Sequence, residues 1–151
     1  MSRNSSRVAI AISALIAGIL LWPISSLGGP EWKIRVVDRS GTPVRSVVIR
    51  ESCRDYSAEL NGQREDLRPD DQGYATFSKR IIRVPLVKRL FVVARSAGNG
   101  VHASFGPHCF AFAFRGGVES DSIDWEGSAS QLSSTIVIDR DAVLENGSSV
   151  R

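Results

Sequence analysis

Cys53 and Cys109 are the only cysteines in this chain of 151 residues, and His102 and His108 its only histidines. Two chemistries could use them. An even pair of cysteines in an oxidising compartment forms a disulfide. A bridge here would close a loop of about 57 residues and stabilise the fold by roughly 4 kcal/mol in the chain-entropy description. The alternative is two separately buried thiols, packed as small apolar groups. The second chemistry is metal-dependent or hydrolytic. Zinc requires three or four ligands converging at short, regular spacings, and His102-x5-His108-Cys109 is not such a spacing. Gly106-Pro107 also interrupts the strand parity that would align the two histidines.

Other reactive residues fall into bland contexts. Glu65-Asp66 and Asp70-Asp71 sit in a charged stretch that reads as a solvated loop. No nucleophile-elbow motif accompanies any serine, and no cofactor motif is present in the sequence. Lys33 lies on an expected first strand, as an isopeptide cross-link to a last-strand asparagine would need. Residues 135–139 offer no asparagine, and Asn146 lies in an expected tail.

The elements that must position these residues are short strands. Residues 32–38 alternate Trp32, Ile34 and Val36 against Lys33 and Arg35, the period of a half-buried strand. Ser40-Gly41-Thr42-Pro43 ends that run, and residues 44–52 read as the returning strand. Residues 56–60 form a third short run, 61–73 a polar surface loop, and 74–82 another strand. Residues 85–98 carry Leu86, Leu90, Val93 and Ala97 at helical spacing between Pro85 and Gly98, which favours one short crossover helix, while Phe91-Val92-Val93 argues for a strand instead. Residues 101–105 and 109–114 read as strands, 116–134 as a long Ser-rich loop, and 135–139 as a last buried strand. Trp125, in that loop, is either a ligand contact or a lid over an open end of the sandwich. About seven strands punctuated by turns predict an all-β, antiparallel β-sandwich.

The chain begins differently. Arg3 and Arg7 precede an apolar run over residues 8–21, and a small, polar exit comes next. This is the layout of an export signal or, extended to Leu27, of a membrane-anchoring hydrophobic helix. Ser26-Leu27-Gly28 offers small residues for cleavage before Gly29. The expected organisation is 1–28 signal or anchor, 29–142 domain and 143–151 flexible tail, with the domain outside the cytoplasm. Nineteen basic residues oppose sixteen acids. With Arg3 and Arg7 set aside the signs nearly cancel, so no concentrated basic face points to nucleic acid.

Val37-Asp38, Gly41 and Pro43-Val44, and later Asp71, Gly73 and Phe77, resemble the pattern of carboxypeptidase regulatory-like domains, of the transthyretin-like and Cna-B-type sandwiches. Ser46 departs from that pattern, where many members carry glycine. The resemblance spans residues 31–139. It implies a non-enzymatic binding or structural module of the cell envelope, with a protein or polysaccharide partner and no cofactor. The competing expectation is a small hydrolase or metal-dependent enzyme using His102 or His108.

Overall fold

The computed structural model describes residues 3–98, 100–127 and 132–139. Helix α1 (Arg3–Leu21) leads directly into β1 (Pro23–Gly29), succeeded by β2 (Trp32–Val37) and β3 (Val48–Asp55). Next come β4 (Gln63–Leu67), β5 (Tyr74–Phe77), β6 (Arg80–Pro85) and α2 (Leu86–Ala97). A single 3-10 turn (Gly100–His102) precedes β7 (Pro107–Arg115), β8 (Val118–Glu119), β9 (Ile123–Glu126) and β10 (Thr135–Val137).

The strands form three sheets. One runs β10-β2-β5, a second β4-β3-β7-β8 with β9 also on β7, and a two-stranded ribbon joins β1 to β6. The main core lies between the first two. Trp32, Ile34, Val36, Phe77 and Ile136 come from the three-stranded sheet, and Ile49, Cys53, Cys109, Ala111 and Trp125 from the larger one. Two inner faces sharing one core give the sandwich-like, mostly β architecture.

Several expectations are corrected. The described residues hold ten strands, and β10 runs parallel to β2. The 74–82 run is two strands in different sheets, broken at Ser78-Lys79. Residues 56–60 form backbone-bonded turns, with Ala58 N and Glu59 N both donating to Asp55 O. The expected 61–73 loop contains β4, whose exposed, charged side chains suit an edge strand. Residues 101–105 open in the 3-10 turn, and the expected 116–134 loop contains β8 and β9. The anchor helix stops at Leu21, because residues 23–29 are drawn into the ribbon with β6. Among the described residues no helix is long and apolar enough to cross a membrane. The expected tail lies outside the described residues.

The acidic, Gly-centred turns are one device used twice. Asp38 Oδ1 accepts from Ser40 N and Thr42 N, both at 2.9 Å. Asp70 Oδ1 accepts from Gln72 N at 2.9 Å and Tyr74 N at 2.8 Å. In both, the aspartate N–H donates to the carbonyl four residues on, and the glycine N–H returns to the aspartate carbonyl. Gly41 and Gly73 take φ of 84° and 82°. The second turn packs on the segments that flank the first: Val36 N donates to Gly73 O at 2.8 Å, and Arg45 Nη1 donates to Asp71 Oδ1 at 2.9 Å. These aspartates therefore serve the backbone.

Substituting each glycine separates two costs. Gly41→Ala, with open space around its Cβ, bears only the positive-φ penalty, roughly 1–2 kcal/mol. A Cβ at Gly73 also meets Val36 O at 2.6 Å. Urea unfolding is expected to show Gly73→Ala clearly less stable than Gly41→Ala; equal losses would refute the packed-turn account.

Candidate functional site

The larger sheet carries the reactive groups because strand alternation sorts them by face. On β3, Ile49, Glu51, Cys53 and Asp55 point inward while Val48, Arg50, Ser52 and Arg54 point outward. On β7, Cys109, Ala111 and Ala113 point inward and Phe110, Phe112 and Phe114 outward. Cys53 stands directly opposite Cys109 in the β3/β7 register, and the two form a disulfide with Cα atoms 4.1 Å apart. The bridge is buried, with Trp125 opposite Cys109 across β9. Trp125 is thus a core residue, neither ligand contact nor lid.

Glu51 is the anomaly of the inner face. It lies opposite Ala111, two residues before Cys53, and is 8% exposed. Its Oε1 has no hydrogen-bond partner among the described residues. Burial, and then the Glu65 carboxylate, push its carboxyl up to about 7, while Arg80 pulls the other way. Its oxygen and the two sulfurs lie within 4.8 Å of one another. A disulfide offers no thiolate, so while the bridge stands this trio is not a set of metal ligands.

A denser polar cluster lies beside the bridge. Arg80 donates Nη1 to Glu59 Oε1 at 2.8 Å and Nη2 to Glu59 Oε2 at 3.0 Å. The same Nη2 reaches Gly28 O at 3.1 Å and Cys53 O at 3.4 Å. Ser26 Oγ donates to Asp55 Oδ2 at 2.9 Å. Arg89 Nη2 donates to Ser26 Oγ at 2.6 Å and Ile24 O at 3.2 Å. Two carboxylates and two guanidiniums therefore fasten β1, β3, β6 and α2 together. β1 covers the disulfide so closely that a Cβ at Gly29 would stand 3.2 Å from Cys53 Sγ.

The outer face carries a ladder of rings. His108 to Phe110, Phe110 to Phe112 and Phe112 to Phe114 have centroids 6.4, 6.2 and 5.8 Å apart. Arg50 lies over Phe114 at 4.8 Å and pairs with Asp66 through both carboxylate oxygens, at 2.8 and 2.7 Å. That pairing holds the Asp66 carboxyl below the usual carboxylate range. An open recess of about 610 Å³ at the His108 end includes Tyr56, Phe105 and Glu126 in its wall. Another of about 450 Å³ at the Phe114 end includes Arg45, Arg68 and Arg115. The face thus presents a stripe of half-buried rings, only Phe110 and Phe112 near parallel, bordered by charge.

His108 Nε2 lies 3.8 Å from Asp124 Oδ1, on the neighbouring strand β9. The His102 side chain lies outside the described residues, as does Asn146. Lys33 is exposed, its Nζ 4.5 Å from the centre of the Tyr74 ring, and not buried beside an acid as a cross-linking lysine would be. Sequence reasoning misses the ladder when it takes the run from 109 to 114 only as a strand. The signal is present: if Cys109 faces inward to bond Cys53, the three phenylalanines must face outward.

No family model, curated protein or solved structure matches this chain.

The Glu51 carboxyl is raised above its unfolded value of 4.5. Its contribution to stability is therefore complete below that value and is lost as pH rises through about 7, about 3 kcal/mol in all. Glu51→Gln is expected to match the parent in urea near pH 4 and to exceed it above pH 8. Parallel pH profiles for the two oxidised proteins would contradict this.

Proposed function

We propose that this chain is a non-enzymatic, disulfide-stabilised β-sandwich module, held at a membrane by an uncleaved N-terminal helix and displayed outside the cytoplasm. There it binds or supports another component of the cell envelope, through the outer face of the β4-β3-β7-β8 sheet.

One observation carries the reading: β1 begins two residues past the end of α1 and is built into the domain. Cleavage after Gly28 would detach nearly all of β1 and its pairing with β6. It would also remove Ser26 from Asp55 and Arg89, and the Gly28 carbonyl from Arg80. Asp55 and Arg89, 3.8 Å apart, would keep each other but lose the Ser26 hydroxyl that bonds both in this buried setting. A retained signal-type helix suits this better than a removed one. At 1.5 Å per residue the apolar run over 8–21 reaches about 21 Å, short of the roughly 30 Å hydrocarbon core but of signal-core length. The buried Cys53–Cys109 bridge supports an oxidising location.

The non-enzymatic reading rests on what the acids other than Glu51 do. Asp38 and Asp70 cap turns, Glu59 and Asp66 chelate arginines, and Asp55 ties β1 to α2. The resemblance to carboxypeptidase regulatory-like domains points the same way: the turn residues that carry it, Gly41 and Gly73, adopt one shared geometry. Flat rings edged by Arg50 and His108 suit the apolar face of a sugar ring or an extended peptide.

Expression of the full chain in a bacterial host, fractionation and intact-mass measurement test the reading. The expected product is full-length, in the membrane fraction, with no cysteine labelled until a reductant is added. A soluble exported product whose mass starts near Gly29, or two freely labelled thiols, would overturn it.

A further inference from the structure

Helix α2 has its apolar side turned the wrong way for a core helix. Of its twelve residues only Val92 and Ser96 are buried. Val87, Leu90 and Phe91 are 44%, 54% and 58% exposed, and Ala94 is exposed with them. Positions 87, 90, 91 and 94 follow the i, i+3, i+4, i+7 rule and form one stripe along the helix. The opposite side is fixed to the domain: Arg89 reaches Ser26 and Ile24, and Ser96 Oγ donates to Tyr56 O at 3.3 Å. The exposed stripe is therefore held in place, and the helix cannot roll to hide it.

Charge says what could cover it. α2 contains Lys88, Arg89 and Arg95 and no acidic residue. Lys88 and Arg95, seven residues apart, border the stripe on one side, both exposed. The surface is also continuous with α1, which touches α2. Between them an open apolar recess of about 560 Å³ is lined by Leu15, Ile19, Trp22, Ile24 and Leu86. Trp22, 71% exposed, stands at the junction, and indole is a side chain suited to the membrane–water boundary.

The geometry points to α2 as an in-plane membrane-docking helix: it seats the sandwich on an anionic bilayer surface, with Val87, Leu90 and Phe91 in the acyl boundary and Lys88 and Arg95 at the headgroups. This rests on the reading of α1 as the retained membrane attachment, and adds a second contact that fixes how the domain stands on the bilayer. The apolar stripe and its cations belong to one rigid helix, so both engage together.

The test uses the full chain reconstituted in vesicles. Phe91→Cys carries an environment-sensitive fluorophore, and Glu119→Cys on β8 is the control; both sites are exposed, and the native bridge is left intact. The expected result is co-flotation of both proteins, with blue-shifted emission at position 91 only, in vesicles containing phosphatidylglycerol but not in pure phosphatidylcholine. Adding K88E/R95E should abolish the shift without releasing the protein from the vesicles. Labelling Val87→Cys repeats the reading should the Phe91 variant misfold. Co-flotation with water-like emission at positions 87 and 91 overturns the docking and leaves the α1 attachment standing. A shift of equal size in phosphatidylcholine, or one insensitive to K88E/R95E, overturns the anionic surface. Failure to co-float overturns both.

Discussion

The Arg80 guanidinium is the interaction on which the rest of this structure depends. It grips Glu59 with both terminal nitrogens and, from the same side chain, reaches carbonyls of β1 and β3. Glu59 is tied in turn to the Asp55 N–H, at 3.1 Å, and Asp55 holds Ser26. Both partners of the ion pair are largely buried, at 20% and 14% side-chain exposure. In that setting the pair is worth little against an apolar replacement, but losing one member leaves a charge stranded, at a cost of about 3–5 kcal/mol. The network thus gives specificity of assembly more than net stability. It decides which segment may lie over the disulfide, and that segment is β1.

The functional organisation grows out of this network. The N-terminal strand joins the helix before it to the disulfide-bearing sheet, with Leu27 packed against the main core. Arg89 extends the same network to α2 and so orients that helix's exposed stripe. The ringed outer face of β7 lies on the other side of the same sheet. One body therefore presents two distinct surfaces, an apolar and basic end near α1 and an aromatic face along β7.

How much of this is legible in the sequence depends on where each segment draws its stability. β2 is readable because alternating apolar residues dictate both strand and phase, whereas β7 and β10 are readable as strands from continuous apolar runs that leave the phase open. α2 is set off by Pro85 and Gly98, but its Phe91-Val92-Val93 run reads equally as strand, and its exposed face inverts the usual reading of a helical stripe. β1 is not readable. Pro23, Ser25, Ser26, Gly28 and Gly29 have neither strand propensity nor alternation, and their partners, Asp55, Arg80 and Arg89, lie far along the chain. β4 is hidden for a related reason: an edge strand needs no apolar side, so its charged sequence imitates a loop. Trp125 is misjudged from its polar neighbours, although Ile123-Asp124-Trp125-Glu126 alternates and is recognisable as the strand it is. In the site, the pairing of Cys53 with Cys109 is accessible from count and compartment. The burial of Glu51 beside it is not, since a glutamate among arginines on an expected strand reads as surface.

Native-state hydrogen exchange on β1 tests the central claim most directly. If the polar network fastens this strand to the domain, the backbone amides of β1 that pair with β6 will exchange almost as slowly as those of β7, and Arg80→Met will selectively speed them. If those amides exchange at nearly the free-peptide rate while β7 stays protected, the N-terminal segment is only laid against the sandwich. The account of a retained, structurally integrated membrane attachment would then be wrong.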